Sequence, residues 1–315
     1  MSLFFHEQTQ LYVDGHFRKL ADVRLSPYDQ GFLYGASVFA TFPIEPDGNV
    51  PFWDQHRERL KAACTRLGII PREGFFLRQP ALRRTQILAE LLRRNHAAPE
   101  GAIGRYRITA GEAGPGLPTT PTYPEPHDFL DLRPFPAPEM RARPAVLHLL
   151  KTIRDHGESA PRMKAGAYLN TLLAHREAIS REIRFPDEGL LLDDQGYLSE
   201  GVTSNIFWIS GQTLFTPSLA TGCLPGTTRE WVIDYARAAD IDLQEGTFRM
   251  EDLPGRAQAA FLTNSVRGLH PVVRVEGDGV QPALSLDPEN TLLRNLRRAW
   301  KKARSLSLSG GSLKS

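Results

Sequence analysis

The chain has few cysteines, little net charge and no long apolar run, and each shortage excludes a class of protein. Cys64 and Cys223 are its two cysteines, too few and too far apart for a disulfide framework or a zinc site. We therefore predict no metal site and expect reduced thiols in a cytoplasmic protein. A formal net charge of +2, with the basic residues spread out, argues against nucleic acid binding. No apolar stretch is long enough to span a bilayer, and the N-terminal residues lack the basic region of a usual signal peptide.

Lysine is also scarce, because the chain uses arginine almost everywhere. Between Lys61 and Lys301 only Lys151 and Lys164 remain, so lysine chemistry in the body of the protein has few candidates. Lys164 stands just before a periodic apolar run that predicts a helix with a buried face. A lysine at the mouth of such a helix is partly desolvated, which favours the nucleophilic neutral amine. The alternative is a solvated lysine in a first helical turn. The predicted buried face comprises Tyr168, Leu169, Leu172, Leu173 and Ile179.

Periodicity and turn residues divide the chain into two domains and a tail. We predict that residues 1–136 form a smaller N-terminal α/β domain, which includes a proline-rich connection. Its predicted elements are a hairpin over 11–17 with Asp14-Gly15 at the turn, helices over 54–67 and 80–95, and strands over 103–110 and 127–132. Asp54 is expected to cap the first helix and Gly68 to end it.

Residues 137–304 predict a larger C-terminal domain in which strands and helices are interspersed, which is typical of an α+β fold. A strand at 145–150 is followed by hairpins over 189–200 and 203–216, a helix over 227–239 and a strand over 257–263. A basic helix over 292–303 closes the domain. Residues 305–315 are rich in Ser and Gly, and we expect a disordered tail there.

Three motifs follow one another in a fixed order. Lys164-x-x-x-Tyr168-Leu169 comes first, then Ser199-Glu200-Gly201-Val202-Thr203-Ser204-Asn205, then Leu224-Pro225-Gly226-Thr227-Thr228. In order and spacing they resemble the class IV, fold-type IV enzymes that use pyridoxal 5'-phosphate (PLP). That family includes branched-chain and D-amino-acid aminotransferases and 4-amino-4-deoxychorismate lyase. Each motif alone is modest evidence, whereas the ordered set is specific and covers nearly the whole chain.

The resemblance implies a two-domain fold-type IV enzyme whose C-terminal domain carries a mixed sheet or barrel. It also implies PLP as cofactor, a small-molecule amino substrate, and a homodimer in which a partner's loop completes each site. Lys164 corresponds to the lysine that forms a Schiff base with PLP and then removes the α-proton. Glu200 corresponds to the glutamate beside the pyridine nitrogen. Arg59, in His56-x-x-Arg59-Leu60, corresponds to the arginine that grips the phosphate; its alternative is a surface helix arginine.

Further cofactor contacts are implied by the same resemblance. Tyr168 matches the tyrosine near the phenolic oxygen of PLP, although any buried tyrosine needs a partner. Leu224 matches the residue that packs on the ring, or is plain core. A helix that opens after a glycine offers free N–H groups to a phosphate. The residues expected on the phosphate side are Gly226, Thr227, Thr228, Asn264 and Ser265.

The substrate side departs from the family pattern. Ala36 and Ser37 stand where Asp and Gly are usual, Ala110-Gly111 replaces an Arg-Gly, and Ala167 replaces an Asn. Because the usual arginine for a substrate carboxylate is missing, other residues must take over its role. Our candidates for the substrate side are Phe39, as an apolar wall, with Arg107 and Arg267. For each arginine a structural ion pair is the open alternative.

Three details favour the lyase over an aminotransferase. They are the Ala63-Cys64-Thr65-Arg66-Leu67 continuation, the aromatic pair in Ser204-Asn205-Ile206-Phe207-Trp208, and the loop Asn264-Ser265-Val266-Arg267-Gly268. We therefore expect elimination of pyruvate to give 4-aminobenzoate. The alternative is a branched-chain or D-amino-acid aminotransferase. A more remote alternative is an inactive PLP-binding protein, because a fold does not fix a function.

Overall fold

The computed structural model describes residues 8–157, 159–253, 256–277 and 280–308. These residues form two compact units. The N-terminal unit contains the described residues up to Phe135, together with Lys164–Ala167 and the chain from Arg304. The C-terminal unit contains Pro136–Met163 and Tyr168–Ala303. The short segment with Lys164 therefore belongs to the N-terminal unit, although the chain on both sides of it belongs to the other.

The described part of the N-terminal unit contains one five-stranded antiparallel sheet in the order β2-β1-β5-β4-β3. Three helices accompany the strands. The elements are β1 (Gln10–Val13), β2 (His16–Lys19), α1 (Gln30–Tyr34), β3 (Ser37–Ile44), α2 (Trp53–Leu67), α3 (Ala81–Arg94), β4 (Ala102–Thr109) and β5 (His127–Arg133).

Turn residues fix the ends of several elements in this unit. Asp14 and Gly15 both have positive φ, 49° and 84°, as a two-residue type I′ hairpin turn requires, so the predicted hairpin is confirmed. Gly68 ends α2 in the left-handed region, as predicted. The predicted cap, Asp54, is wrong, because α2 begins one residue earlier with Phe52 at the N-cap. Asp54 lies in the first turn instead, where its charge favours the helix dipole.

The described part of the C-terminal unit contains one nine-stranded mixed sheet in the order β11-β10-β9-β12-β13-β6-β7-β8, with β14 paired to β13. Strand pairs β10–β11, β6–β13 and β6–β7 are parallel, and the others are antiparallel. The elements are α4 (Pro138–Ala142), β6 (Ala145–Leu149), α5 (Leu169–Ser180), β7 (Glu188–Leu192), β8 (Leu198–Gly201), β9 (Asn205–Ser210), β10 (Thr213–Pro217), α6 (Thr227–Ala238), β11 (Leu243–Gly246), β12 (Ala259–Asn264), β13 (Gly268–Gly277), β14 (Val280–Ser285) and α7 (Thr291–Leu308).

The sheet of the C-terminal unit curls around a large buried cluster. Leu198 of β8 and Trp208 of β9 lie in one buried cluster with Leu147 of β6 and Leu262 of β12, although β8 stands at the far end of the strand order. Mixed strands with interspersed helices confirm the predicted α+β class. Among the described residues, no helix is both long enough and apolar enough to cross a membrane.

Helix α5 forms where it was predicted, but its predicted buried face is wrong. The helix turns its small residues Ala174 and Ala178 inward, into a cluster with Leu191 of β7 and Val202, which directly follows β8. Small side chains let a helix approach a sheet closely, so they occupy the inner face. The leucines therefore lie outward. The exposed fractions are 68% for Leu169, 57% for Leu172, 49% for Leu173 and 44% for Ile179.

The C-terminal helix is longer than expected. Helix α7 runs from Thr291 to Leu308, with Leu293, Leu296, Trp300 and Ala303 on its buried face. The predicted disorder is wrong for residues 305–308, which continue the helix, and Arg304 at their start pairs with Glu45 of the N-terminal unit, to which it belongs. The remainder of the predicted tail, residues 309–315, lies outside the described residues. Strands β13 and β14 had no counterpart in the sequence prediction.

Candidate functional site

Strand β3 fixes the backbone of the Lys164 segment. The amide of Phe39 donates a hydrogen bond of 3.1 Å to the carbonyl of Lys164, and the amide of Gly166 donates one of 2.7 Å to the carbonyl of Ser37. A Cβ atom on Gly166 would lie 2.0 Å from the Ser37 hydroxyl oxygen, so only glycine fits this close approach. Lys164 is thus held by strand pairing and not by a helix N-terminus alone.

The side chains of Lys164, Phe39 and Arg107 come together in the N-terminal unit. The Lys164 Nζ atom is 4.7 Å from the centroid of the Phe39 ring, and the Arg107 Cζ atom is 5.5 Å from the same centroid. Phe39 and Arg107 are cross-strand partners in β3 and β4. Burial, and next the charge of Arg105, lower the pKa of Arg107. The Phe39 ring thus contacts two cationic side chains, and the positive charge of this pair attracts an anionic ligand.

Helix α2 brings His56 and Arg59 to the same region of charge. His56 is buried, and burial, followed by the charges of Arg59 and Lys164, holds its pKa well below the ordinary value. His56 is therefore neutral at physiological pH, and its ring packs on Phe42 with 5.7 Å between ring centroids. The cations that share this part of the N-terminal unit, Arg59, Arg107 and Lys164, are three of the predicted site residues.

Glu200 is a buried carboxylate of the C-terminal unit with several hydrogen-bond donors around it. It is 3% exposed. Its Oε1 atom accepts a hydrogen bond from Arg162 Nη2 and lies 3.1 Å from Arg154 Nε. Its Oε2 atom accepts hydrogen bonds from the Leu224 amide at 2.9 Å and from Asn205 Nδ2 at 3.3 Å. A buried carboxylate with such donors is stabilised in its charged form.

Tyr168 and Leu224 lie within the electrostatic and bonding reach of this carboxylate. Burial, and next the charge of Glu200, raise the pKa of Tyr168, so its hydroxyl keeps its proton and can donate a hydrogen bond. Leu224 donates its amide to Glu200, while its carbonyl accepts a hydrogen bond of 2.8 Å from Asn205. The loop before α6 and the end of β8 are therefore tied together through Asn205.

Helix α6 begins after a glycine and has no side-chain cap. Its N-cap is Gly226, so no side chain occupies the first-turn amides. Thr227 and Thr228 are buried there, and the Thr228 hydroxyl has no hydrogen-bond partner among the described residues. A Cβ atom on Gly226 would lie 2.2 Å from Asn205 Oδ1, so glycine is required for the loop to pass. A phosphate at this helix terminus would meet free N–H groups and an unpaired hydroxyl.

The loop after β12 is shaped by Asn264, whose Oδ1 atom accepts hydrogen bonds from the amides of Val266 at 3.1 Å and Arg267 at 2.8 Å. Ser265 lies between these residues. Arg267 does not present an uncommitted guanidinium. Its Nη1 atom is 3.0 Å from Glu188 Oε2, and its Cζ atom lies 4.5 Å from the ring centroid of Phe185. Arg267 thus has the structural ion pair that the sequence left open.

Some of the predicted site residues belong to the N-terminal unit and the others to the C-terminal unit. The N-terminal unit holds Phe39, Arg59, Arg107 and Lys164. The C-terminal unit holds Tyr168, Glu200, Leu224, Gly226, Thr227, Thr228, Asn264, Ser265 and Arg267. Sequence reasoning missed Arg154, Arg162 and Asn205 around Glu200. Asn205 stands inside a quoted motif, so its position was a usable signal, whereas the pairing of the two arginines depends on a loop whose course has no sequence pattern.

Comparison with known proteins identifies the family. The model of the amino-transferase class IV family matches residues 37–275. The chain is 34% identical to the aminodeoxychorismate lyase of Bacillus subtilis over 266 residues, which cover 84% of this chain and 86% of that protein. It is 28% identical to a putative branched-chain-amino-acid aminotransferase of Methanocaldococcus jannaschii over 274 residues, 85% of this chain and 88% of that protein.

A solved structure agrees with these relatives. The crystal structure of 4-amino-4-deoxychorismate lyase from Pseudomonas aeruginosa has a TM-score of 0.74 and 25% identity, and the match covers 93% of this chain and 98% of that one. The chain belongs to the class IV aminotransferase family, and it has the fold of the fold-type IV enzymes, as the motifs predicted. It is an enzyme of the class that contains both the lyase and the aminotransferases.

Proposed function

We propose that the chain is a PLP-dependent aminodeoxychorismate lyase, which converts its substrate to 4-aminobenzoate and pyruvate. The observation that carries the choice of lyase is the 34% identity to the Bacillus subtilis enzyme along 84% of the chain. The Lys164–Phe39–Arg107 group supports it, because it combines an amine, an aromatic wall and an arginine in one place. Those are the groups that a cyclic amino acid bearing a carboxylate needs.

The residues present fit PLP. The unpaired Thr228 hydroxyl and the glycine-capped start of α6 suit its phosphate, as does the guanidinium of Arg59. Glu200 offers a buried carboxylate for the ring nitrogen, and Tyr168 offers a protonated hydroxyl for the phenolic oxygen. Ser265 and Asn264 belong to the loop that we assign to the phosphate side.

The chain's own residues divide the reaction between them. When bound through Lys164, PLP supplies an electron sink for the carbon that carries the substrate amine. Lys164, once released by that amine, takes the proton from this carbon. The electron pair of the broken C–H bond then forms the double bond that completes the aromatic ring and expels the enolpyruvyl oxygen from the neighbouring carbon. The released enolate takes a proton on its CH2 carbon to give pyruvate, and Lys164 displaces the amine of 4-aminobenzoate. Glu200 would hold the proton of the ring nitrogen through a charge-assisted hydrogen bond.

Substrate orientation falls to Arg107 and Phe39. Arg107 is half-buried, so its charge is poorly screened and a carboxylate that reaches it forms a strong charge-assisted hydrogen bond. The Phe39 ring offers an apolar face to the cyclohexadiene ring. Arg267 is committed to Glu188, so we assign the substrate carboxylate to Arg107.

A branched-chain aminotransferase is the second candidate, favoured by the 28% identity to the Methanocaldococcus jannaschii protein. The two reactions share the removal of a proton by Lys164 and then diverge. A lyase regenerates its starting cofactor in each cycle and needs no keto acid. An aminotransferase leaves the amino group on the cofactor until a keto acid removes it.

The deciding experiment supplies purified, PLP-loaded enzyme with aminodeoxychorismate and measures 4-aminobenzoate and pyruvate. We expect equimolar products without any added keto acid, and no product from a Lys164→Ala variant assayed beside it. In parallel, common amino acids are added alone and the absorbance of the cofactor is followed. Rapid, keto-acid-reversible conversion to the amine form, together with no 4-aminobenzoate, would replace the lyase by the aminotransferase.

We further propose that the enzyme is a homodimer. Helix α5 presents Leu169, Leu172, Leu173 and Ile179 to the outside, and a cluster of that kind on a soluble enzyme marks an interaction surface. A second copy of the chain is the occupant that we propose, since two-fold symmetric dimers are the commonest soluble assembly.

A further inference from the structure

Glu200 forms ion pairs with two arginines, and its pairing with Arg162 has no role in the reaction as proposed so far. Both guanidinium groups address the same oxygen, Oε1, while Oε2 receives the neutral donors of Leu224 and Asn205. One carboxylate thus faces two cations. The site contains more positive charge than is needed to neutralise Glu200.

The two arginines are held differently. Arg154 is fully buried, and its Nη1 atom donates to Asn170 at 2.6 Å and to Thr171 at 3.2 Å. Burial, opposed by the charge of Glu200, lowers the pKa of Arg154. Arg154 therefore has partners of its own in the first turn of α5. The side chain of Arg162 is 15% exposed, and it forms an ion pair with Glu200.

The loop around Arg162 is shaped to its side chain. Gly157 has a φ of +66°, and a Cβ atom there would lie 3.0 Å from Arg162 Cγ. The backbone at Gly157 thus packs directly on the aliphatic stem of the arginine, in a conformation that other residues rarely adopt. This packing limits the positions that the guanidinium can take, so its contact with Glu200 is a built feature of the loop.

Two further titratable groups near Glu200, the thiol of Cys223 and the hydroxyl of Tyr168, keep their protons at neutral pH. Burial, and next the charge of Glu200, raise the pKa of Cys223 to about 11 and raise the pKa of Tyr168 above its ordinary value. Among the residues that the structure describes, Arg154 and Arg162 are the cations that form ion pairs with Glu200. A buried carboxylate that loses a bonded cation takes up a proton more readily.

We propose that Arg162 is a positioning residue: it keeps Glu200 ionised and oriented, and thereby sets the lowest pH at which the chain binds the pyridine ring of PLP. The inference rests on the proposed function, because it needs PLP as the ligand. It adds a role for a residue two positions before Lys164 that neither the motifs nor the reaction assigns. A protonated Glu200 could not hold a positive ring nitrogen, so loss of Arg162 should weaken binding first at acid pH.

The experiment titrates PLP into the full-length, cofactor-free chain and follows the quenching of intrinsic fluorescence between about pH 5 and about pH 8. Arg162→Ala and Arg162→Gln are compared with the unchanged chain and with Arg162→Lys, which restores the charge. We expect the pH at which binding is half lost to rise by about one unit or more in the first two variants. Arg162→Lys should lie between them and the unchanged chain.

Arg237→Ala serves as the matched control, since Arg237 is an exposed arginine of the last turn of α6 that pairs with Glu245. Its profile should follow that of the unchanged chain. Placing Arg162→Ala in a Glu200→Gln background should produce no further shift, because the group that titrates is then gone. Thermal unfolding of every variant is recorded without PLP.

The outcomes separate the inference from the function on which it rests. If the unchanged chain fails to bind PLP at any pH, the proposed function is wrong. If it binds and Arg162→Ala lowers thermal stability without moving the acid limb, Arg162 only holds the loop and the inference is overturned. Should the alanine and glutamine variants fail to fold, the folded lysine variant decides by the same acid limb. A further shift in the Glu200→Gln background would also overturn it.

Discussion

At the scale of the residue, the question is which arginines form structural ion pairs and which can bind the substrate. Arg107 and Arg267 were equal candidates for the substrate carboxylate in the sequence. The structure commits Arg267 to Glu188, with 3.0 Å between Nη1 and Oε2, and stacks it on Phe185. Arg107 contacts the Phe39 ring beside Lys164. Removing one partner of a buried ion pair destabilises the fold, whereas removing a residue that contacts a ligand weakens binding.

The two arginines should therefore respond differently to alanine. Arg107→Ala should raise the KM for aminodeoxychorismate about tenfold or more, since a hydrogen bond to a charged group contributes about 1.5–3 kcal/mol, with little change in the unfolding temperature. Arg267→Ala should leave Glu188 buried and unpaired and lower the free energy of unfolding by about 3–5 kcal/mol. Steady-state kinetics and thermal unfolding of both variants test this. A normal KM for Arg107→Ala would remove it from the substrate site.

At the scale of the element, the N-terminal sheet contains a pH-sensitive link between two strands. His127, at the start of β5, lies 2.7 Å from Asp14 in the β1–β2 turn. The hydrogen bond with Asp14 raises the pKa of His127. Burial opposes ionisation of Asp14, but its hydrogen bonds and the nearby charge of His127 lower the pKa of that carboxyl overall. The charged pair therefore stabilises the fold only while His127 is protonated and Asp14 is not.

This link gives a pH dependence with a definite sign. Because the folded pKa of His127 is raised, its contribution is present below about pH 6.5 and is lost as the pH rises through the folded value. It disappears again in acid, as Asp14 becomes protonated. The His127→Gln variant should lose up to about 1 kcal/mol near pH 5.5 and almost nothing near pH 9. Denaturant unfolding at both values measures this, with His96→Asn as control, an exposed position with φ of 50° that asparagine tolerates. Equal losses at both pH values would contradict the pairing.

The local sequence pattern was sufficient to predict that most helices and strands exist. It was not sufficient to predict which of their side chains are buried and what those side chains contact. The Asp14-Gly15 turn and Gly68 specify their conformations by themselves, so the hairpin and the end of α2 could be predicted. Helix α5 was placed correctly, but its buried face was reversed because the distance to the sheet favours Ala174 over the leucines. Lys164 and Glu200 were assigned by motif. The Arg162 contact with Glu200 was not predictable, since it depends on a loop built around Gly157.

At the scale of the whole molecule, the exposed leucines of α5 are the surface through which we expect two copies of the chain to associate. Burying one leucine side chain contributes about 1.5–3 kcal/mol. In a symmetric dimer each such contact occurs twice, so a few leucines are enough to favour association strongly. The same residues would be a liability for a lone chain, because a contiguous apolar patch invites aggregation.

We expect the unchanged enzyme to sediment as a dimer and a Leu172→Glu, Leu173→Glu double variant to sediment as a monomer with reduced activity. Placing four carboxylates in one symmetric interface combines repulsion with desolvation. Leu82→Glu is the control, because Leu82 is 73% exposed on α3 and lies in the other unit. Sedimentation velocity over a range of concentrations measures the result. A dimeric double variant would place the interface elsewhere, and a fully active wild-type monomer would contradict the dimer.

The membership of Lys164–Ala167 in the N-terminal unit has a consequence for how the protein is made. During translation, β3 leaves the ribosome long before the segment that pairs with it, and the intervening chain includes α2, α3, β4 and β5 of the N-terminal unit. Contacts between residues so distant in sequence form late. All five strands of the N-terminal sheet are therefore synthesised before the segment with Lys164. A gene fragment that ends at the boundary near Phe135 would encode the whole N-terminal sheet and omit Lys164.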